Sequence, residues 1–241
     1  MNKTLLTAAL VLTTAASSVA IAGELKTYEQ KLGYALGMDM AKGLQEKGLK
    51  IDPNALLQGY KDQMAGNPLK LSQTELDQLA HETQQRVLAY QQKQRQQQAE
   101  ANKKKEAEFF AQNAKAPGVK TLPEGIQYQV LKSGNGPHPK ADDTVVVHYT
   151  GMHLDGKVFD SSIERGKPIR IKLDQVIKGW QIVLPKMKVG DQWKVWIPAE
   201  LAYGERGAGG VIGPNEPLVF EIELLNIEPK EDKSKQPQSA K

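Results

Sequence analysis

The sequence contains no cysteine in its 241 residues. This absence excludes disulfide-stapled folds, thiol nucleophiles, zinc–thiolate sites and iron–sulfur clusters. The sequence also lacks the Gly-x-x-x-x-Gly-Lys-Ser/Thr phosphate loop and the Gly-x-Ser-x-Gly elbow of many serine hydrolases. Its few histidines form no i, i+4 pair, so we expect no metal site. We expect no other cofactor either. The four histidines are His81, His138, His148 and His153.

Long hydrophobic runs and a strong charge imbalance are missing as well. No stretch after the first residues approaches the roughly 20 apolar residues that a transmembrane helix needs. Lys and Arg number 32 and Asp and Glu 28, giving a net charge of +4. This mild excess comes without a basic face interleaved with aromatic residues, so we do not expect nucleic-acid binding. With 39% hydrophobic and 25% charged residues, the composition is that of a folded protein of one or two domains.

Residues 1–22 have the organisation of a secretory signal peptide. Lys3 precedes an apolar run from Leu5 to Leu12, and Ala20-Ile21-Ala22 fits the small-x-small cleavage pattern. The alternative of a membrane anchor is disfavoured because the run is short and rich in Thr, Ala and Ser. We therefore predict cleavage after Ala22 and export to the periplasm. Association with the outer membrane and secretion remain open alternatives.

Residues 23–70 are predicted to form a small helical domain. Apolar residues recur every four positions from Leu32 to Leu44, which is the spacing of one helical face. Thr27 and Gln30 fit a capping box at the start of this helix. A second helix is indicated by Asp52-Pro53, an N-cap followed by proline at the first helical position.

Two glycines inside the first predicted helix indicate that another element approaches closely. Gly33 and Gly37 lie four residues apart and are followed by Ala41, although an interior glycine costs about 1 kcal/mol relative to alanine. Either the second helix or a second copy of the chain packs on this face. We favour a homodimer through the N-terminal helices, because about 40 residues make a poor hydrophobic core alone.

Residues 71–116 are predicted to be a long connecting helix. Ser72 and Glu75 form a second capping box, and no glycine or proline follows before Pro117. The segment from Gln91 to Lys105 has no large hydrophobic residue but consists of strong helix formers. We interpret it as a solvated stalk between two domains, with a Gln-rich disordered linker as the alternative.

In residues 117–229 the apolar period changes from four to two. Apolar and polar residues alternate in three segments, Val145–Thr150, Trp193–Ile197 and Phe220–Leu224. This alternation predicts strands of an antiparallel sheet with one solvent-exposed face. One helix is expected near Gln175 to Leu184. The sequence therefore predicts an α+β fold in which the sheet wraps a short helix. The polar residues 230–241 are predicted to be a disordered tail.

Five short motifs follow one another between residues 145 and 225. They are Val145-Val146-Val147-His148-Tyr149-Thr150-Gly151, Val158-Phe159-Asp160-Ser161-Ser162, Val176-Ile177-Lys178-Gly179-Trp180, Ala202-Tyr203-Gly204, and Leu218-Val219-Phe220-Glu221-Ile222-Glu223-Leu224-Leu225. In this order they resemble the FKBP-type peptidyl-prolyl cis-trans isomerases, from about Gly118 to Glu228. The helical preface is similar to the exported dimeric subgroup that includes the macrophage infectivity potentiator proteins.

The resemblance implies a half-barrel sheet curled around a helix, with a proline pocket between them. Trp180 would form the floor, Ile177 would offer its backbone N–H to the substrate, and Tyr203 would offer its hydroxyl. Asp160 would lie at the rim, held by Tyr149 and Arg165. The implied catalytic residues are Tyr149, Phe159, Asp160 and Tyr203. The implied substrate-binding residues are Arg165, Ile169, Val176, Ile177, Trp180, Ile212 and Phe220.

Three positions depart from the family pattern. Ile169 replaces a frequent pocket phenylalanine, Gln175 a frequent acidic residue, and Ala208 a histidine that often borders the site. These changes leave rate and sequence preference open, while we expect activity to survive. Each pocket aromatic has an alternative interpretation as barrel core, and Asp160 has one as a turn cap.

The function implied by the resemblance is acceleration of X-Pro isomerisation in unfolded or partly folded exported polypeptides, with chaperone activity. The amide twists without covalent catalysis, so an apolar pocket that favours the twisted state is sufficient. The resemblance also implies macrolide inhibitors such as rapamycin. The alternative is a holdase chaperone or an adhesion or virulence module with a weak or vestigial isomerase site.

Overall fold

The computed structural model describes residues 24–228. This part of the chain divides into two compact units, residues 24–83 (unit 1) and residues 84–228 (unit 2). The predicted signal peptide and the predicted disordered tail lie outside the described residues. Among the described residues, no helix combines the length and the apolar character needed to cross a membrane.

Unit 1 is helical. It contains α1 (Tyr28–Glu46), α2 (Pro53–Ala65) and the first part of α3 (Gln73–Asn113). Each helix begins at the cap that the sequence predicts. The Thr27 hydroxyl accepts from the Gln30 N–H at 3.3 Å, the Asp52 carboxylate from the Asn54 N–H at 2.7 Å, and the Ser72 hydroxyl from the Glu75 N–H at 3.3 Å.

Unit 1 buries almost nothing. No residue of α1 is buried, and Asp62 is the buried residue of α2. A Cβ placed at Gly33 or Gly37 would meet no atom within 4 Å outside the helix itself. The predicted alternative, packing of α2 onto the glycine face of α1, is therefore wrong, and none of residues 24–228 covers this face.

α3 is one uninterrupted helix of 41 residues, so the alternative of a disordered Gln-rich linker is wrong. The second half of the helix, which belongs to unit 2, also differs from the fully solvated stalk that its polar sequence predicts. Partly buried residues recur along one side of this half at helical spacing. They are Ala99, Asn102, Glu106, Phe109, Phe110 and Asn113. Half of them are polar because they bond to other polar groups of unit 2, which is why no apolar stripe marks the contact.

The rest of unit 2 is built on a seven-stranded antiparallel sheet. Its spatial order is β1-β2-β6-β7-β3-β4, and β5 also pairs with β3. The strands are β1 (Val119–Thr121), β2 (Gln127–Lys132), β3 (Thr144–Met152), β4 (Val158–Ser161), β5 (Ile169–Lys172), β6 (Gln192–Ile197) and β7 (Leu218–Glu228). The helix α4 (Lys178–Val183) lies where the sequence predicts the one helix of this segment.

The hydrophobic core lies between α4 and the inner face of the sheet. Every second residue of β3 is buried, which matches the predicted alternation. Gly179 allows α4 to approach β6, since a Cβ there would lie 2.5 Å from the Cγ2 of Ile197. The three tryptophans, Trp180, Trp193 and Trp196, are all buried in this unit.

Candidate active site

Four aromatic rings meet at the start of α4. The ring of Trp180 lies edge-to-face with those of Tyr149 and Phe220, with centroids 5.3 Å apart in both pairs. Phe220 contacts Phe159 in the same geometry at 5.9 Å. Edge-to-face contacts fix ring orientation as well as burying surface. The rings form a rigid apolar cluster in which Trp180, Tyr149 and Phe220 are only 5%, 8% and 4% exposed.

Gly151 in β3 allows two of these rings to lie together. A Cβ at this position would come within 2.7 Å of the Cζ of Phe159 and 3.0 Å of the Cε1 of Phe220. Any side chain here would push the two rings away. A glycine inside a strand commonly marks such a close approach, and this was the available sequence signal for its role.

A polar trio lies beside the aromatic cluster. The Tyr149 hydroxyl and the Arg165 guanidinium each donate to one carboxylate oxygen of Asp160. Arg165 also donates to the Tyr149 hydroxyl oxygen at 3.1 Å. The three side chains form a closed ring of hydrogen bonds, so the tyrosine that contacts Trp180 also anchors the partly exposed carboxylate of Asp160.

The pKa values of the trio diverge. Burial raises the pKa of Asp160, but the hydrogen bonds from Tyr149 and Arg165 and the guanidinium charge outweigh it and leave the pKa below its ordinary value. Burial, followed by the bond to Asp160, raises the pKa of Tyr149. The bonds to Tyr149 and Asp160 raise the pKa of Arg165. At neutral pH the trio therefore consists of a carboxylate, a neutral phenol and a guanidinium.

The aliphatic candidates belong to the hydrophobic core of unit 2 or pack against it. Ile212 is buried in the core of unit 2. Ile169, Val176 and Ile177 are half-buried and pack against that core. The isoleucine at position 169 thus fills part of the core surface with an aliphatic side chain.

The peptide between Val176 and Ile177 is fixed by a residue that the sequence analysis did not identify. The Gln181 side-chain amide donates to the Val176 carbonyl at 2.8 Å. Among the hydrogen bonds of residues 24–228, the Ile177 N–H of that peptide has no acceptor. Gln181 therefore orients a peptide whose N–H is free to donate.

Tyr203 differs from the other candidates. It is 40% exposed and is not part of the buried cluster. It precedes a short 3-10 turn, Gly204–Arg206. Of the two other departures from the family pattern, Gln175 is exposed, and Ala208 packs on the core and pairs with Ile212.

Ser162 is a second residue that the motifs did not single out by role. It is fully buried, and its hydroxyl accepts from the Tyr149 N–H at 2.8 Å and donates to the Tyr149 carbonyl at 3.2 Å. It thereby fixes the backbone that carries the central tyrosine. No sequence pattern connects these residues, because the pairing depends on how β3 and the end of β4 meet.

Within residues 24–228, no three His, Asp or Glu side chains converge as ligands for a metal ion. The chemistry available to the candidate site is apolar contact, donation from a backbone N–H and a phenol, and one fixed carboxylate.

Comparison with known proteins assigns the chain to a family. A family model described as FKBP-type peptidyl-prolyl cis-trans isomerase matches residues 136–225, and a model of the domain amino terminal to that isomerase matches residues 29–130. The chain is 40% identical over 206 residues to the peptidyl-prolyl cis-trans isomerase Mip of Coxiella burnetii, covering 86% of this chain and 90% of that protein. The chain belongs to the FKBP-type peptidyl-prolyl cis-trans isomerases. The family resemblance based on the five motifs is thus confirmed.

Two further relatives of this FKBP-type isomerase match over similar lengths. The outer membrane protein MIP of Legionella longbeachae is 40% identical over 206 residues, covering 86% of this chain and 88% of that protein. The FKBP-type isomerase FkpA of Escherichia coli (strain K12) is 42% identical over 211 residues, covering 85% of this chain and 77% of that protein.

Solved structures confirm the fold of the FKBP-type isomerase. The crystal structure of FkpA from Escherichia coli matches with a TM-score of 0.72 at 41% identity, covering 86% of this chain and all of that one. A peptidyl-prolyl cis-trans isomerase from Pseudomonas syringae matches with a TM-score of 0.52 at 44% identity, covering 54% of this chain and 96% of that one. The predicted α+β class, with N-terminal helices, a long helix and an antiparallel sheet, is confirmed.

Proposed function

We propose that the aromatic cluster around Trp180 is the site at which this isomerase twists X-Pro bonds of exported, unfolded or partly folded polypeptides. The observation that carries the proposal is the set of edge-to-face rings beside an ionised Asp160, which accepts hydrogen bonds from Tyr149 and Arg165. This combination offers an apolar surface for a pyrrolidine ring with a fixed polar group at its edge.

The reaction suits such a site because it requires no covalent chemistry. The barrier to rotation about a peptide bond is about 18–20 kcal/mol, since the C–N bond is partly double. Twisting removes the conjugation and reduces the charge separation between oxygen and nitrogen. A surface that excludes water therefore favours the twisted amide over the planar, more polar ground state.

Each candidate residue has a role in this proposal. Trp180 contacts the face of the proline ring. Tyr149 and Phe220 contact the indole ring of Trp180 and fix its orientation, and Phe159 supports Phe220. Ile177 donates its backbone N–H to a carbonyl of the substrate chain, and Gln181 holds the peptide that carries this N–H in place. The Tyr203 hydroxyl donates from the exposed edge. The remaining positions, Arg165, Ile169, Val176 and Ile212, complete the rim and walls.

The proposal is tested by cis-to-trans relaxation of a short Leu-Pro or Phe-Pro peptide with the purified mature chain. We expect a rate enhancement that rapamycin abolishes, since the macrolide would occupy the Trp180 pocket. A Tyr203→Phe variant should retain part of the activity because it keeps the ring and loses only the hydroxyl. If the folded protein gives no enhancement, the alternative of a holdase chaperone or adhesion module replaces the proposal.

We further propose that two copies associate through unit 1. Large hydrophobic side chains of α1 and α2 are exposed in the single chain, for example Leu36 at 58% and Tyr60 at 63%. Exposed apolar surface on this scale marks an interaction site. The open space above Gly33 and Gly37 gives a second helix room to approach. On this proposal residues 23–70 are a dimerisation domain, residues 71–116 a connecting helix and residues 117–229 the isomerase domain.

The proposed location is the periplasm, after removal of residues 1–22. The signal-peptide pattern supports export. One relative is named an outer membrane protein, which supports association with that membrane as the second possibility. Cell fractionation with an antibody against the mature chain distinguishes the two locations.

A further inference from the structure

The segment 204–216, the rim loop, lies next to one residue of the proposed site and contains another. It follows Tyr203 directly and contains Ile212. Ala208 and Ile212 exchange backbone hydrogen bonds of 2.9 Å in each direction, and the Asn215 N–H donates to the Gly204 carbonyl at 2.8 Å. The rim loop is therefore a closed hairpin. Its first limb, 204–208, and its second limb, 212–216, are joined by these bonds and move together.

Gly207 brings the two limbs into direct contact. Its φ is +58°, and a Cβ at this position would lie 2.2 Å from the Ile212 carbonyl oxygen. No side chain fits between the limbs. A movement of the first limb is therefore passed on to the second limb, which carries Ile212.

The second half of α3 holds both limbs from outside. One nitrogen of the Arg95 guanidinium donates to the Glu205 carbonyl at 2.8 Å and to the Arg206 carbonyl at 2.7 Å. The Asn102 side-chain amide donates to the Pro214 carbonyl at 2.9 Å. Arg95 and Asn102 are two helical turns apart and therefore lie on the same face of α3.

The second limb is also linked to Phe159 of the aromatic cluster. Glu216 accepts from the Gly213 N–H at 2.6 Å with one oxygen and bonds to the His153 Nδ1 at 2.6 Å with the other. The His153 ring lies edge-to-face with Phe159, with centroids 5.3 Å apart. The rim loop is thus held between α3 on one side and the proposed pocket on the other.

We propose that α3 is a positioning element of the isomerase site, in which Arg95 and Asn102 hold the rim loop so that Tyr203 and Ile212 face the bound proline. This inference rests on the proposed function of the Trp180 pocket. Releasing the loop frees Tyr203 and Ile212 to move while Trp180 keeps its contacts with Tyr149 and Phe220. It thereby lowers the fraction of molecules that are ready to bind. The apparent affinity falls by that fraction, so KM rises while kcat is retained.

The test uses the full mature chain with the double substitution Arg95→Met and Asn102→Leu. We expect KM for a Leu-Pro or Phe-Pro peptide to rise by roughly three- to tenfold with kcat unchanged. An Arg95→Lys variant should give a smaller rise, because it keeps a donor but loses the planar guanidinium. Hydrogen exchange at the amides of Ala208, Ile212 and Asn215 should accelerate in the double variant.

The matched control is Arg86→Met. Arg86 is exposed and lies nine residues before Arg95, which at about 100° per residue places it on the opposite face of α3. This variant should keep the KM and the hydrogen exchange of the wild type.

The outcomes separate the inference from the function on which it rests. An active, rapamycin-sensitive wild type with an unchanged KM in the double variant overturns the inference alone. A fall in kcat at constant KM also overturns it, because that result indicates disturbed chemistry rather than a released loop. A wild type without activity overturns the proposed function and the inference together. If the double variant does not fold, Asn102→Ala is judged by the same KM criterion.

Discussion

The charge at the edge of the aromatic cluster depends on Asp160. Its lowered pKa means that folding favours the ionised carboxylate. Such a group stabilises the folded state above the ordinary pKa of 3.8, and the contribution is lost as the pH falls through the lower, folded-state pKa. The carboxylate also restrains Tyr149, so its removal affects the site as well as the stability.

We predict that Asp160→Asn reduces kcat/KM by roughly tenfold at pH 7, because hydrogen bonds to a charged group are worth about 1.5–3 kcal/mol. The variant should also be less stable than the wild type at pH 7, and the difference in melting temperature should shrink on acidification below pH 4. Thermal unfolding between pH 3 and pH 7 measures this. Asp155→Asn is the control, because asparagine can still accept the N–H of Lys157 in the exposed turn. A difference in melting temperature that grows on acidification would contradict the assigned pKa direction.

The motifs identify some candidate site residues better than others. Tyr149, Trp180 and Phe220 stand inside long motifs, and the structure places their rings in contact. Gln181 and Ser162 act through backbone groups of other residues. Such bonds depend on the folded path of the chain and leave no periodic trace in the sequence.

At the scale of elements, alternation and capping patterns predict most of the architecture. β3 alternates along its whole length, and α1 to α3 begin at their predicted caps. The contact face of α3 was not predictable in this way. Asn102, Glu106 and Asn113 are half-buried there, and a polar residue that bonds to a backbone group has the same sequence signature as one that faces water.

The half-buried Glu106 has a pKa that its contact with Ala199 and its burial change in opposite directions. Its carboxylate accepts from the Ala199 N–H at 3.1 Å. Burial raises the pKa of Glu106 above its ordinary value, and the nearby charge of Glu200 adds to this, although the bond from Ala199 acts in the opposite direction. A raised carboxyl pKa favours folding at low pH, and this contribution is lost as the pH rises through the folded-state pKa.

We therefore predict that Glu106→Gln raises the melting temperature at pH 7 by roughly 1–3 °C. Glutamine keeps an oxygen that accepts from Ala199 but has no charge to desolvate. The advantage should disappear near pH 4, where the wild-type carboxyl is protonated. Calorimetry at the two pH values measures the effect, with Glu108→Gln on the exposed side of α3 as the control. Destabilisation by Glu106→Gln at pH 7 would show that the charge strengthens the contact.

At the scale of the whole molecule, the two units differ in how they are stabilised. Unit 2 has a continuous hydrophobic core. Unit 1 exposes the apolar side chains that would have to form one, including Leu32 and Leu57. A single copy of unit 1 therefore lacks the buried apolar area that stabilises a small domain.

We predict that deleting residues 23–64 yields a monomer that keeps its kcat/KM for short peptides within about twofold, since none of the proposed site residues is lost. Light scattering measures the mass, and the peptide relaxation assay measures the activity. A dimeric product would contradict the assignment of the interface to unit 1.

A point substitution provides the matching test in the full chain. A Cβ at Gly37 would meet no atom of residues 24–228 within 4 Å outside the backbone of α1, and Gly37→Leu replaces a poor helix former by a good one. It should weaken the proposed dimer while leaving peptide isomerisation unchanged. Gly33→Leu should behave in the same way if both glycines face the second copy.

The distribution of the three tryptophans makes the two units spectroscopically distinct. Trp180, Trp193 and Trp196 are all buried in unit 2, whereas the tyrosines Tyr28, Tyr34 and Tyr60 of unit 1 are exposed. Indole emission consequently reports the opening of the isomerase unit alone, while helical circular dichroism includes the melting of unit 1. Recording both signals from one sample separates structural change in unit 1 from unfolding of unit 2 without any added label.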